Sequence, residues 1–341
     1  MTRLAFFDTK NYDKNWFDRL KQDYDVEIQY FESKLNENSV LLAKGFDVVC
    51  AFVNDHVDEA VIKGLIDDGV KLVAMRCAGY NNVDFKTAFG KIHVVRVPAY
   101  SPYAVAEHAM ALLLSSVRHI HHSYVRTREF NFSLNSLVGF DLHGKVIGIV
   151  GTGRIGRVFN DLCKGFGMKV LAYDPFPNPD FDGEYCSFDE LCQRSDIISL
   201  HCPLTPDSQH LVDKEAIARM KNGVVILNTS RGGLVDSEAL LEGIKSKKIG
   251  AAALDVYEEE GDIFYEDRSN TILEDDTLML LISMPNVLVT SHQAFLTDEA
   301  LHNIAETTLG NIKQFRDGLV MDNEICYHCA TCKREPGKRC F

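Results

Sequence analysis

Short apolar runs, rich in Val, Ile, Leu and Ala, recur along this chain with helix-length spacers between them. The first series is Leu4–Phe7, Val26–Phe31, Phe46–Val53, Lys71–Cys77 and Ile92–Val97. The second is Val146–Val150, Val170–Asp174, Asp196–Cys202, Val224–Thr229, Ala251–Val256 and Val287–Ser291. Continuous apolar strands that alternate with helices belong to parallel sheets buried on both faces. Two series predict two α/β layers, each with its own sheet edges, rather than one barrel.

Between the series lies Ser101–Glu129. Ser101 suits a cap, Pro102 the first turn, and Ala104–Val117 is strongly apolar. So apolar a helix must be covered on most faces, by a domain or by a second subunit. Residues 101–129 are therefore the candidate element for a homodimer or homotetramer. His119, His121 and His122 at its polar end stand too close along a helix to converge well on a metal. Most of the acidic stretch Glu258–Asp276 reads as a solvated loop, one carboxylate excepted.

The run Val146–Val150 leads directly into Gly151-Thr-Gly153-Arg154-Ile155-Gly156, followed by a helix-compatible stretch and a second apolar run ending at Asp174. Glycines at this spacing let the backbone turn tightly, approach a pyrophosphate and aim a helix N-terminus at it. Asp174 falls eighteen residues after Gly156, close to where a dinucleotide-binding unit places the acid for the adenosine ribose. The cofactor indicated is NAD. Roughly a hundred residues precede the loop, so the nucleotide domain is expected to be inserted into another domain.

Composition narrows the classes. A chain of 341 residues with 46% hydrophobic and 25% charged positions has room for two ordinary cores. Its net charge of −13 argues against nucleic acid or an anionic membrane as partner. With no signal-peptide pattern at Met1–Asp8 and no apolar run long enough to span a bilayer, the expectation is a cytoplasmic protein. Six of the ten cysteines (Cys50, Cys77, Cys163, Cys186, Cys192 and Cys202) read as small hydrophobes.

Three segments end predicted strands with polar residues, where ligands gather in open α/β sheets. They are Asn228-Thr229-Ser230-Arg231, Asp255-Val-Tyr-Glu-Glu-Glu260 and Thr290-Ser-His292. An arginine, a carboxylate and a histidine at one sheet edge suit hydride transfer to a 2-oxo acid. A guanidinium grips a carboxylate bidentately. Histidine supplies a proton near neutral pH, and a neighbouring carboxylate orients its ring.

The chain closely resembles the D-isomer-specific 2-hydroxyacid dehydrogenases, and among them the branch that ferments pyruvate to D-lactate. The resemblance covers about residues 1–325 and rests on several stretches in order. These include Arg76–Asp84, Val97–Pro102, Ala106-Glu-His108, Val150–Gly156, His201–Thr205, Asn228–Gly232, Asp255–Glu260 and His292–Thr297. It implies that Arg231 binds the substrate carboxylate, His292 donates the proton and Glu260, rather than Glu258 or Glu259, pairs with His292. Asp255 is implied near the nicotinamide carboxamide. Arg154, Ile155, Cys202, Pro203, Thr229 and Ser230 match cofactor-lining positions. Backbone amides of Ala78 and Gly79 are implied at the carboxylate, with Tyr100 and Phe295 as pocket walls.

The expected architecture is then two Rossmann-like and flavodoxin-like parallel-sheet domains, with the NAD-binding domain inserted into the substrate domain. Residues 1–100 with 298–325 form the substrate domain and 101–297 the NAD domain, and the cleft closes over the bound substrate. Asp174 favours NAD over NADP, and the aromatic walls favour pyruvate over a long branched 2-oxo acid. The remaining stretch, residues 326–341, carries Cys326, Cys329, Cys332 and Cys340, a set able to hold a structural zinc or another metal tetrahedrally. The alternatives are another D-2-hydroxyacid specificity, or a binding module that senses NADH without catalysis.

Overall fold

The computed structural model describes residues 1–327. Cys329, Cys332 and Cys340 lie outside the described residues, and the metal set expected there lies outside with them. Cys326 is described and is partly buried. Among the described residues no group of three His, Cys, Asp or Glu side chains is placed to hold a metal. Nor is any helix among them long and apolar enough to cross a membrane. The chain divides into two units, Met1–Ser101 with the segment from Leu296 onward, and Pro102–Phe295.

The first unit holds five strands: β1 (Thr2–Phe6), β2 (Val26–Tyr30), β3 (Val48–Ala51), β4 (Leu72–Met75) and β5 (His93–Val95). They pair in the order β2-β1-β3-β4-β5, all parallel, which is the flavodoxin-like arrangement. Its helices are α1 (Asn11–Tyr24), α2 (Glu59–Asp67) and the short α3 (Phe85–Ala88). The last long helix of the chain (Asp298–Arg316) returns to this unit, and its Ala305, Leu309 and Ile312 share a core with Leu4, Phe6 and Phe17.

The second unit begins with α4 (Pro102–Val117) and α5 (Ile120–Arg128), followed by β6 (Val146–Val150), α6 (Arg154–Gly165), β7 (Lys169–Tyr173) and β8 (Glu184–Tyr185). Then come α7 (Phe188–Arg194), β9 (Ile197–Leu200), α8 (Lys214–Arg219), β10 (Val224–Asn228) and α9 (Ser237–Lys245). The series ends with β11 (Ile249–Leu254), α10 (Asp276–Ser283) and β12 (Val287–Val289), which makes the helix at Asp298–Arg316 α11. The seven strands run β12-β11-β10-β9-β6-β7-β8, all parallel. Strands this apolar need cover on both faces. One core joins the sheet to α7, α8, α9 and α10, and another joins it to α4 and α6.

Two sequence expectations change. The apolar stretch 101–129 is two helices, because His119 adopts a left-handed conformation at φ 51° and turns the chain. Hydrophobic periodicity carries no signal for such a turn. The apolar side chains of α4 are also covered within its own unit, where Ala106, Ala109, Leu112 and Leu113 pack in the core with Ile147, Phe159 and Leu227. That core accounts for most of its hydrophobicity. Exposed large apolar side chains are Tyr103 on α4, Tyr124 and Val125 on α5, and Phe130, Phe132, Leu134 and Val138 just beyond it.

Candidate active site

Strand order reverses between β6 and β9, and ligands of such sheets bind beyond the carboxyl ends at that point. The glycine loop sits there, and its three glycines meet three different constraints. Gly151 has φ +98°, and a side chain on it would place Cβ 2.6 Å from the His201 carbonyl oxygen. A Cβ on Gly156 would lie 2.1 Å from the Gly151 carbonyl oxygen, so α6 packs on the loop only because that atom is missing. Gly153 has nothing within 4 Å of where its Cβ would be, and as N-cap of α6 it supplies no side-chain acceptor. The N-terminus of the twelve-residue α6 follows directly on this glycine, a setting that fits a pyrophosphate.

Asp174 follows β7. Its Oδ2 accepts from the Thr152 amide at 2.8 Å and hydroxyl at 2.9 Å, and its Oδ1 from the Phe176 amide at 2.9 Å. Thr152 Oγ1 in turn accepts from the Tyr185 hydroxyl at 2.9 Å. The carboxylate is thereby aimed, and its partly exposed oxygens keep lone pairs for ribose hydroxyls. On the facing strand end, burial pushes the His201 imidazole down to about 3 and the Cys202 thiol up to about 11. Neither carries charge at neutral pH. Pro203 is exposed beside them, Thr229 is buried, and Ser230 Oγ donates to the Leu200 carbonyl at 2.8 Å.

The arginine, carboxylate and histidine stand beyond β10, β11 and β12, which are neighbours in the sheet. His292 Nδ1 donates to Glu260 Oε1 at 2.7 Å, with both side chains about one-sixth exposed. The other oxygen, Glu260 Oε2, accepts from the Tyr257 amide at 3.0 Å. The carboxylate is thus held from the backbone side, and Nε2 of His292 is left for a substrate. Arg231 Nη1 donates to the Ser230 carbonyl at 2.6 Å, and Asn228 Nδ2 donates to the Arg231 carbonyl at 2.8 Å. Gly232 comes so close to Tyr257 that a Cβ would lie 2.0 Å from its carbonyl group. That approach sets the Arg231 loop directly against the turn that carries Glu260.

Asp255, at the end of β11, is fully buried, and both oxygens of its carboxylate accept hydrogen bonds inside the unit. Oδ1 accepts from Thr290 Oγ1 at 2.5 Å and the Gln293 amide at 2.9 Å, and Oδ2 from the Ala294 amide at 2.8 Å. Burial acts to raise its pKa, but hydrogen bonds from His108, Thr290, Ala294 and Gln293 outweigh it and hold the carboxyl below its ordinary value. Sequence reasoning also missed Tyr265, whose hydroxyl donates to the His292 carbonyl at 2.9 Å. An aromatic cluster at Phe264-Tyr265 within an acidic stretch was the available signal.

In the first unit, Ala78 and Gly79 follow β4. Their carbonyls accept from Arg96 Nη1 at 2.8 Å and Cys77 Sγ at 3.2 Å, while neither amide takes part in a backbone hydrogen bond among the described residues. Arg76, just before them, is buried between the rings of Phe6 and Phe52 and donates to the Asp8 carbonyl at 2.7 Å. Tyr100 lies at the end of this unit, its carbonyl accepting from Asn303 Nδ2 at 2.7 Å. Phe295 is buried at the end of the second unit.

Residues 110–294 match the family model described as D-isomer specific 2-hydroxyacid dehydrogenase, NAD binding domain. A 2-hydroxyacid dehydrogenase homolog of Haemophilus influenzae is 50% identical over 328 residues, which span 95% of this chain and 99% of that protein. D-lactate dehydrogenase of Escherichia coli is 47% identical over 328 residues, again 95% of this chain and 99% of the relative. Among solved structures, one described as the pyruvate reductase of Chlamydomonas reinhardtii superposes with a TM-score of 0.90 at 44% identity, covering 95% of this chain and 98% of that one.

Proposed function

From the premise that this chain belongs to the D-isomer specific 2-hydroxyacid dehydrogenase family, and so is an NAD-dependent oxidoreductase, we propose that it reduces pyruvate to D-lactate. The observation that carries this reading is the His292–Glu260 pair at 2.7 Å, packed beside the Arg231 loop on the edge that bears the glycine loop. When bound, NADH supplies the hydride for the substrate's C2 carbonyl. The α6 amides hold the pyrophosphate and Asp174 the adenosine ribose, with Arg154, Ile155, Cys202, Pro203, Thr229 and Ser230 lining the cofactor.

Arg231 grips the substrate carboxylate and draws on the C2 oxygen. As that oxygen gains charge, Nε2 of His292 gives it a proton, and Glu260 stabilises the ring while it is charged. The amides of Ala78 and Gly79 supply further donors for a carboxylate. Tyr100 and Phe295 are the bulky residues that the resemblance sets at the substrate, and on that ground a methyl is favoured over a branched side chain.

NADH oxidation against a panel of 2-oxo acids, with chiral analysis of the product, tests the proposal. Pyruvate is expected to give the highest kcat/KM, with D-lactate as product. A branched 2-oxo acid that outperforms it would move the assignment to another D-2-hydroxyacid, and an L-product would defeat it.

Two variants probe individual roles. A carboxylate on the ribose hydroxyls repels a 2′-phosphate, so Asp174→Ala is expected to narrow the preference for NADH over NADPH. An unchanged ratio of the two kcat/KM values would remove Asp174 from the ribose site. Glu260→Gln replaces the carboxylate that accepts from Nδ1 of His292 with a neutral amide. Its kcat is expected to fall about 10- to 100-fold with KM for NADH near the parent value, and a parent-like kcat would leave Glu260 without this role.

A further inference from the structure

We infer that His108, on α4, is a positioning residue for His292 and acts through the buried carboxylate of Asp255. This rests on the reading of His292 as proton donor. The starting point is the backbone of His292, which has φ +53°. That left-handed conformation is disfavoured for a residue with a Cβ, and it persists only where the surroundings impose it.

Asp255 imposes it from both directions. Its backbone carbonyl accepts the His292 amide at 2.7 Å, and its carboxylate accepts the next two amides, Gln293 at 2.9 Å and Ala294 at 2.8 Å. One residue therefore brackets the turn that presents the ring. Its grip is only as well placed as its own carboxylate, which is fixed from the far side by two groups. Thr290 Oγ1 donates to Oδ1 at 2.5 Å, and His108 Nε2 lies 3.3 Å from the same oxygen and 3.2 Å from Thr290 Oγ1.

His108 comes from another layer of the unit. α4 crosses β11 and β12 on the face opposite α9 and α10, and its neighbouring side chains are apolar. A polar ring on such a helix is costly to bury without partners. Here its partners are the strand-end carboxylate and hydroxyl that hold the catalytic turn. The order of support is helix, imidazole, carboxylate, backbone turn and finally the ring that donates the proton.

Proton transfer is sensitive to small displacements of the donor, so His108→Leu is expected to lower kcat for 2-oxo acid reduction about 10- to 100-fold while KM for NADH stays near the parent value. His108→Gln keeps an N–H donor and is expected to recover most of the rate. The solvent deuterium isotope effect on kcat is expected to rise in the leucine variant and not in the glutamine variant. In a His292→Gln background, His108→Leu should cost almost nothing further, since residues acting as a unit are not additive. Equal cost in both backgrounds, or no difference between Leu and Gln at 108, would overturn the inference. If His108→Leu does not fold, Thr290→Val carries the same cycle by removing the hydroxyl at nearly constant size. A full-rate His292→Gln is a separate outcome, which removes the proton-donor reading and this inference with it.

Discussion

His292→Gln is expected to bind cofactor and substrate nearly as the parent does and to lose about 10²–10⁴ in kcat, the usual contribution of a positioned general acid. Glutamine keeps a polar, hydrogen-bonding side chain of similar reach, so the Glu260 carboxylate 2.7 Å away is not left buried without a partner. What it lacks is a proton that leaves near neutral pH. The turn itself is held through the backbone amides of residues 292–294 and the Tyr265 hydroxyl, none of which the substitution removes. Steady-state kinetics therefore separate the two terms. A fall in kcat with KM for the 2-oxo acid within a few-fold fits proton donation, whereas a large rise in KM with kcat retained would make His292 a binding residue.

The second large effect is expected at Arg231. In Arg231→Gln both ground and transition states lose the guanidinium, so KM for the 2-oxo acid rises and kcat falls together. Two charge-assisted hydrogen bonds at about 1.5–3 kcal/mol each correspond to a loss in kcat/KM on the order of 10²–10⁴. Arg231→Lys keeps the charge without the planar fork and is expected to recover only part of it. The loop should stay in place, because its anchors are the Asn228 amide on the Arg231 carbonyl and the close approach of Gly232 to Tyr257. KM for NADH is the internal control. If it rises in parallel with that of the oxo acid, the arginine supports the cofactor rather than the substrate.

Much of this architecture was legible because parallel strands announce themselves. A run such as Val224–Leu227 is apolar at every position, all five residues of its strand are buried, and the polar residues begin at the last of them, Asn228. The glycine loop was equally readable, since Gly151 and Gly156 each exclude a Cβ and therefore leave a mark on the sequence. The left-handed turns at His119 and His292 were not legible, because histidine has no preference strong enough to declare them. The short strand β8 escaped for a related reason, having only two residues in which to show a pattern. The grip of the Asp255 carboxylate on the amides of Gln293 and Ala294 was not legible either, because a strand-end carboxylate looks alike in sequence whatever it accepts from.

The return of α11 to the first unit has a consequence for the order in which the protein is built. The seven-stranded unit possesses its whole chain once Phe295 has been synthesised. The five-stranded unit has all its strands by Val95, yet one face of its core waits for Ala305, Leu309 and Ile312 and for the Trp16–Asp298 hydrogen bond at 2.9 Å. On the ribosome, where domains fold as units as their chain becomes available, the later-encoded unit is therefore complete first. Leu4 and Phe6 on β1 and Phe17 on α1 meanwhile lack the cover that α11 brings. A chain that stops short of Asp298 would retain both sheets in full and still leave its oldest segment unfinished.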